Sequence, residues 1–80
     1  MLVPLYGFLK GDTIGLLVLV HETDTVREIG RKLQEAAAVR VAPKPASDVY
    51  FRGTLLSPDR TVGEAGLSAL ERVDVVPREA

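Results

Sequence analysis

The sequence predicts an α+β fold in which one helix packs across a mixed sheet of four to five strands. Apolar segments of strand length flank a single stretch with helical spacing. Turn residues divide the chain into the order strand, strand, helix, strand, short elements, strand. A right-handed crossover should lead from the second strand through the helix to the third. Eighty residues suit one small core, so we expect a single domain over 1–80.

The first two strands are predicted to form a hairpin. Val3–Leu9 is rich in apolar and aromatic residues, and Pro4 near its start indicates an edge position or a strand beginning. Lys10-Gly11-Asp12 is a turn signal, because Gly11 takes positive φ at no steric cost. Thr13–Val20 then reads as the second strand.

A helix is predicted over Val26–Ala38. Thr25 and Glu28 have the spacing of a capping box, in which each side chain bonds the other residue's amide. Glu28 also precedes Lys32 by four residues, the favourable order for an ion pair. Gly30 lowers helix propensity by about 1 kcal/mol relative to Ala, which indicates a close approach of the helix to the sheet. One apolar stripe is expected at Val26, Ile29, Leu33 and Ala36 or Ala37.

The second half of the chain is predicted as short elements. Each proline disfavours helix in the residue before it, so Arg40–Pro45 should be extended. Of the neighbours Tyr50 and Phe51, Phe51 is the predicted core residue. The remaining expected elements are strand Val49–Arg52, a short strand at Leu55–Leu56, a turn at Ser57–Arg60, a helical turn over Thr61–Gly66, and a last strand Val73–Val76.

Composition excludes several classes of function. The net charge of -1 lacks the basic surplus with which nucleic-acid binders displace phosphate counterions, so we expect no nucleic acid partner. Cysteine is absent, which removes disulfides and thiolate chemistry and fits a cytoplasmic protein. The longest uninterrupted apolar stretch, Leu16–Val20, is far too short to span a membrane, so no membrane partner is expected.

The sequence also lacks the residues of a catalytic or metal site. His21 is the only histidine, and its pairing with Ser47, Ser57 or Ser68 into a triad has no support in the sequence. A di-iron site built in a helix bundle uses Glu-x-x-His pairs, and the chain contains none. We therefore expect no catalytic residues, no cofactor and no metal bound by this chain.

Several short segments resemble ubiquitin. Val49-Tyr50-Phe51-Arg52-Gly53, Asp59-Arg60-Thr61-Val62 and Val73-Asp74-Val75-Val76, with Leu56 and Leu67 between them, are similar to its second half. Asp24-Thr25-Val26 is similar to the start of its first helix. The resemblance implies a ubiquitin-like β-grasp fold.

A closer resemblance is to the small B (gamma) subunits of toluene 4-monooxygenase-type bacterial multicomponent monooxygenases. The most specific matching segments are Arg40-Val41-Ala42-Pro43 and Glu64-Ala65-Gly66-Leu67. Further matches are Lys10 and Asp12 in the first turn and the Leu17–Val20 strand. The resemblance implies a non-catalytic subunit of an aromatic hydroxylase, with the large and medium hydroxylase subunits as partners. The di-iron cofactor would then lie in the large subunit.

Two parts of the chain are candidate partner contacts. A sheet covered on one face should alternate apolar and polar residues, yet the second strand is apolar throughout. In the β-grasp register Leu16, Val18 and Val20 face the helix, so Leu17 and Leu19 should face outward for a partner to cover. The alternative is an apolar outer face with no partner, or a strand paired on both sides. The second candidate is the extended segment with Arg40, Val41, Pro43 and Lys44, or else it is an ordinary proline-rich loop.

Two other functions remain open for such a fold. One is a stand-alone, unconjugated ubiquitin-like protein of a bacterial secretion system. The other is a modifier or sulfur carrier, which needs a flexible tail ending in Gly-Gly. Because the sequence reads Pro77-Arg78-Glu79-Ala80 at its end, the carrier ranks last.

Overall fold

The computed structural model describes residues 1–79, and their elements follow the predicted order. An N-terminal hairpin comes first, then one helix, then three strands. The elements are β1 (Leu2–Leu9), β2 (Gly15–His21), α1 (Val26–Ala36), β3 (Ala46–Phe51), β4 (Thr54–Leu55) and β5 (Arg72–Arg78).

The five strands form one mixed sheet in the order β2-β1-β5-β3-β4. β1 and β5 are parallel, while the other neighbours are antiparallel. The α+β prediction of one helix on a mixed sheet is therefore confirmed. β1 lies inside the sheet, so Pro4 marks a strand beginning. The ladder between β1 and β5 starts only at Tyr6. Pro4 has no backbone N–H, and because it precedes the ladder no hydrogen bond of the ladder is lost.

The core lies between α1 and one face of the sheet. Val26, Ile29 and Leu33 of the helix are fully buried, as is Val20 of β2, and Val18 of β2 is 4% exposed. Leu16 packs against this core from its margin. The predicted register of β2 is therefore confirmed, and Ala37, at the end of the stripe, is the buried member of the alanine pair.

The predicted capping box at Thr25 is wrong. The Thr25 side chain makes no capping bond, and its backbone carbonyl accepts from the Glu28 amide at 3.0 Å. Backbone carbonyls from the loop after β4 already accept hydrogen bonds from the first amides of the helix. Val26 N–H donates to Arg60 O at 2.8 Å, and Arg27 N–H donates to Pro58 O at 3.1 Å. With those donors satisfied, a side-chain cap adds little.

The reciprocal bonds of a capping box occur instead at the helical turn after β4. Glu64 N–H donates to Thr61 Oγ1 at 3.1 Å, and Thr61 N–H donates to Glu64 Oε1 at 2.9 Å. These bonds hold the pKa of the Glu64 carboxyl below its ordinary value. They fix the helical turn that directly follows Pro58 and Arg60, whose carbonyls bond the helix start.

The expected ion pair between Glu28 and Lys32 is replaced by other contacts. Glu28 pairs with Arg31, and Arg31 also reaches Glu35 at 2.9 Å. The hydrogen bonds from Arg31 hold the pKa of the Glu28 carboxyl below its ordinary value. Lys32 extends away from Glu28, and its Nζ donates to Leu19 O at 3.0 Å. Lys32 therefore links the helix to β2 by a hydrogen bond, although its position predicted an ion pair with Glu28.

Gly30 gives the predicted close approach of helix and sheet. A Cβ added there would overlap Ser47 Oγ of β3, so any larger residue would require the Ser47 side chain to move. β3 begins three residues earlier than predicted, because Ala46 pairs with Arg78 of β5. β5 is longer than predicted for the same reason. Phe51 packs against the margin of the core rather than inside it.

Candidate docking surface

The outer face of the N-terminal hairpin carries a contiguous group of apolar side chains. β1 and β2 pair so that Pro4 lies opposite Leu19 and Tyr6 lies opposite Leu17. Such non-hydrogen-bonded pairs bring side chains on one face close together. We call this group the hairpin surface: Leu2, Pro4, Tyr6, Leu17 and Leu19.

The hairpin surface is open to solvent in the chain on its own. Leu17 is 53% exposed, Leu19 48% and Tyr6 46%. Leucines are usually buried, and a group of them beside a tyrosine resembles the apolar centre of a protein interface more than an ordinary surface. Leu17 and Leu19 therefore point outward as predicted, and the structure brings them together with β1.

Charged residues border the hairpin surface on the β5 side. The Arg72 guanidinium lies over the Phe8 ring, 4.0 Å from its centroid, and pairs with Asp74 at 2.9 Å. Tyr6 lies opposite Arg72 in the parallel ladder. An apolar centre beside charged residues is the usual anatomy of a docking site.

The contribution of β1 to this surface was not predicted from the sequence. Val3, Leu5 and Leu9 are buried, whereas Leu2 and Tyr6 are exposed, so apolar residues occupy both faces of β1. The signal that singled out β2, apolar residues at odd and even positions alike, is present in β1 as well.

The other predicted contact, the Arg40–Lys44 segment, is held by the rest of the chain. Arg40 donates to Asp12 in the hairpin turn through two nitrogens, at 2.9 Å from Nε to Oδ1 and 2.9 Å from Nη2 to Oδ2. The Asp12 side chain is only 2% exposed. The hydrogen bonds from Arg40 lower the pKa of the Asp12 carboxyl, and the Thr13 amide lowers it further.

The far end of the segment is fastened to the helix by a glutamine. Gln34, 6% exposed, is the buried polar residue of the described core. Its Oε1 accepts from Lys44 N–H at 2.8 Å, and its Nε2 donates to Lys44 O at 3.2 Å. Lys44 Nζ pairs with Glu79 at 3.0 Å, and Val41 packs against the core. Pro43 remains exposed.

A groove of about 480 Å³ lies between α1 and the segment that follows it. Its cations are each paired with a carboxylate. Arg27 contacts Asp59 at 2.8 Å, and Arg78 contacts Asp48 at 3.1 Å. Arg31 and Lys44 hold the pairs described above. These pairs neutralise the cations within the chain, so the groove offers less to a ligand than the hairpin surface does.

The arrangement of titratable groups does not fit a di-iron site. Among residues 1–79, no three His, Asp or Glu side chains are grouped to hold a metal ion. His21 is exposed at the end of β2, and its backbone amide donates to Asp24 Oδ2 at 2.8 Å. In the same described range, no helix is both long and apolar enough to cross a bilayer.

Comparison with known proteins identifies the family. The family model described as "Toluene-4-monooxygenase system protein B (TmoB)" matches residues 2–76. The chain belongs to this family. No curated protein matches the chain in sequence.

Solved structures agree with the TmoB assignment. A chain of the structure described as "Toluene 4 monooxygenase HD Complex with Inhibitor 4-Bromobenzoate" is 27% identical, with a TM-score of 0.87 over 98% of this chain and 100% of that one. The predicted family is therefore confirmed, and the TmoB-family chain is supported as a monooxygenase subunit.

More distant structures show the fold alone. Ubiquitin of Caldiarchaeum subterraneum is 16% identical, with a TM-score of 0.72 over 100% of this chain and 98% of that one. The UBL domain of Plasmodium falciparum Dsk2 is 18% identical, with a TM-score of 0.71 over 98% of this chain and 100% of that one. Both confirm the ubiquitin-like β-grasp prediction.

Proposed function

We propose that this TmoB-family chain is a non-catalytic small subunit of a di-iron aromatic monooxygenase. It works as one ubiquitin-like domain over residues 1–80, by binding the large and medium hydroxylase subunits in the cytoplasm. The irons belong to the large subunit, because the described residues of this chain do not fit such a site. The family match supports the monooxygenase system, and the hairpin surface supports binding as the mode of action.

The observation that carries the proposal is the exposure of Leu17 and Leu19 beside Tyr6. Complete burial of a fully exposed leucine contributes about 1.5 to 3 kcal/mol, so covering each of these half-exposed side chains would contribute about half as much. Two such residues can therefore act as the anchors of an interface. The Arg40–Lys44 segment remains a second candidate contact, chiefly through Pro43.

The test is the double variant Leu17→Asp, Leu19→Asp, co-expressed with the large and medium hydroxylase subunits of the same organism. We expect it to stay folded by circular dichroism, because neither side chain is in the core. Its affinity for the hydroxylase should fall about a hundredfold or more, since a charge replaces each buried anchor.

The matched control is Val39→Asp, Leu55→Asp, which changes two exposed apolar residues outside the hairpin surface. This variant should co-purify as the unmodified chain does. Normal co-purification of the Leu17, Leu19 variant would contradict docking through the hairpin surface. Loss of binding in the control alone would move the contact toward the Arg40–Lys44 segment.

A further inference from the structure

The edge of the sheet formed by β2 has an unusual sequence. β2 is the first strand in the sheet order, so one side of it pairs with β1 and the other side is open. The opposite edge strand, β4, has two residues, whereas β2 has seven. Natural edge strands are usually guarded by charged residues or proline. Gly15-Leu16-Leu17-Val18-Leu19-Val20 contains neither.

The register shows which backbone groups of β2 face the open side. Glu22 N–H donates to Met1 O at 3.1 Å, which fixes the alternation of the antiparallel ladder. Counting in steps of two from that pair, the amides of Val20 and Val18 turn toward β1. The amides and carbonyls of Leu17 and Leu19 therefore turn to the open edge.

Contacts at the C-terminal end of this edge support the assignment and limit its length. Asp24 closes the His21 end, because His21 N–H donates to Asp24 Oδ2 and Asp24 N–H donates to His21 O at 2.9 Å. Lys32 Nζ donates to Leu19 O. Within the part of the chain that the structure describes, Leu17 N–H, Leu17 O and Leu19 N–H have no protein partner.

These three groups are suited to an extended backbone. The two amides are two residues apart, which is about 6.8 Å along a strand, with a carbonyl between them. A neighbouring strand presents acceptors and donors at the same spacing. The side chains of the same two residues lie on the hairpin surface, so one bound strand reaches the edge while its own protein covers the leucines.

We propose that an extended segment of the hydroxylase pairs with β2 at Leu17–Leu19 and adds a sixth strand to the sheet. The inference rests on the proposed function and specifies how its surface is bound. The segment carries apolar residues at alternate positions, on the face that it shares with Leu17 and Leu19.

The first measurement is amide hydrogen exchange in the free chain and in the purified hydroxylase complex. Exchange at Leu17 and Leu19 should slow at least a hundredfold in the complex. The Val18 amide is the internal control, because β1 protects it in both states. Exchange that stays fast at Leu17 and Leu19 in the complex would overturn the added strand. Protection that grows with concentration of the free chain would assign the edge to a second copy instead.

The second measurement compares Leu17→Pro with Leu17→Ala. Both variants lose the leucine side chain, but only proline also removes the edge amide, and proline is tolerated where that amide faces solvent. Leu17→Pro should bind the hydroxylase at least tenfold more weakly than Leu17→Ala. Equal affinities of the two folded variants would overturn the added strand, and the exchange measurement decides if Leu17→Pro fails to fold.

The two proposals fail in different ways. If Leu17→Asp, Leu19→Asp abolishes binding while the edge amides stay fast in the complex, the hairpin surface docks through side chains alone. In that case the proposed function stands and the added strand is wrong. If the double variant binds normally, the surface itself is wrong.

Discussion

The hairpin surface and the Arg40–Lys44 segment are both predicted partner contacts, yet the chain holds their side chains in different ways. Leu17 and Leu19 are about half exposed and face solvent. Arg40 reaches across to Asp12, and Lys44 is fastened by Gln34 and Glu79. The start of the segment is not extended as predicted, because the amides of Arg40 and Val41 both donate to Ala37 O at 2.9 Å in a turn that follows α1. Its proline-rich sequence serves internal packing, while regular strand sequence is left uncovered in the other region.

The two regions have distinctive sequences for different physical reasons. A segment whose side chains are satisfied within the chain is explained by the stability of the fold. Exposed leucines on a rigid strand are not explained in that way, because burying them would lower the free energy and nothing in the described chain does so. Substitutions in the two regions should therefore affect different measurements.

The largest effect on stability should come from the inner side of the sheet. Leu33 is fully buried against the core and lies close to Gly7, so Leu33→Ala should lower the free energy of unfolding by about 2 to 5 kcal/mol. Urea denaturation followed by circular dichroism measures it. A loss below about 0.5 kcal/mol would place Leu33 at the surface and reverse the facing of the helix.

The matched variant on the outer side is Leu17→Ala, which removes the same atoms from an exposed position. Its free energy of unfolding should change by no more than about 0.5 kcal/mol. The two leucines then separate stability from binding, since only Leu17→Ala should weaken the hydroxylase complex. A large stability loss at Leu17 would remove the contrast between the two faces.

A smaller effect is expected where the Arg40–Lys44 segment meets the helix. Gln34→Ala leaves the amide of Lys44 without its acceptor in a partly buried site, which should cost about 1 to 3 kcal/mol of unfolding free energy. Hydroxylase binding should be unchanged, because the hairpin surface is untouched. Glu35→Ala, at the exposed neighbouring position, is the control and should stay within about 0.5 kcal/mol. If Gln34→Ala weakens binding more than stability, the segment itself contacts the partner.

Local sequence patterns predicted the elements of this fold because those patterns act over a few residues. Periodicity located α1, and an apolar run located β2, but the buried and exposed sides of β2 were predicted from the resemblance to the β-grasp fold, because the strand is apolar at every position. The same reasoning applied to β1 would have added Leu2 and Tyr6 to the hairpin surface. The open edge of β2 needed the sheet order, which a local pattern does not contain.

Contacts between distant residues account for what the sequence did not predict. Thr25 has the spacing of a cap, but carbonyls from Pro58 and Arg60, more than thirty residues later, bond the helix start instead. Asp12 and Arg40 belong to separate motifs, and only folding joins them into one ion pair. Spacing along the chain carries no information about such pairings.

The smallest predicted effect is a pH dependence that tests whether Arg40 acts within the fold. The ion pair lowers the pKa of folded Asp12 below its ordinary value of 3.8, so the pair stabilises the fold above that pH. This stabilisation is lost as the pH falls through the lower, folded-state pKa, because the carboxylate must then bind a proton.

In Asp12→Asn the contribution of the ion pair is absent at every pH. The difference in unfolding free energy between the two proteins should therefore be constant well above pH 3.8 and shrink as the pH falls below that value. Arg40→Gln removes the largest cause of the lowered pKa of Asp12 and should make the loss of stability at acid pH less steep, while binding to the hydroxylase stays unchanged at neutral pH. Parallel stability curves for the unmodified chain and Asp12→Asn down to about pH 2 would show that Arg40 is not held by Asp12 in solution. The Arg40 side chain would then be available to a partner, while Lys44 stays bound to Gln34 and Glu79.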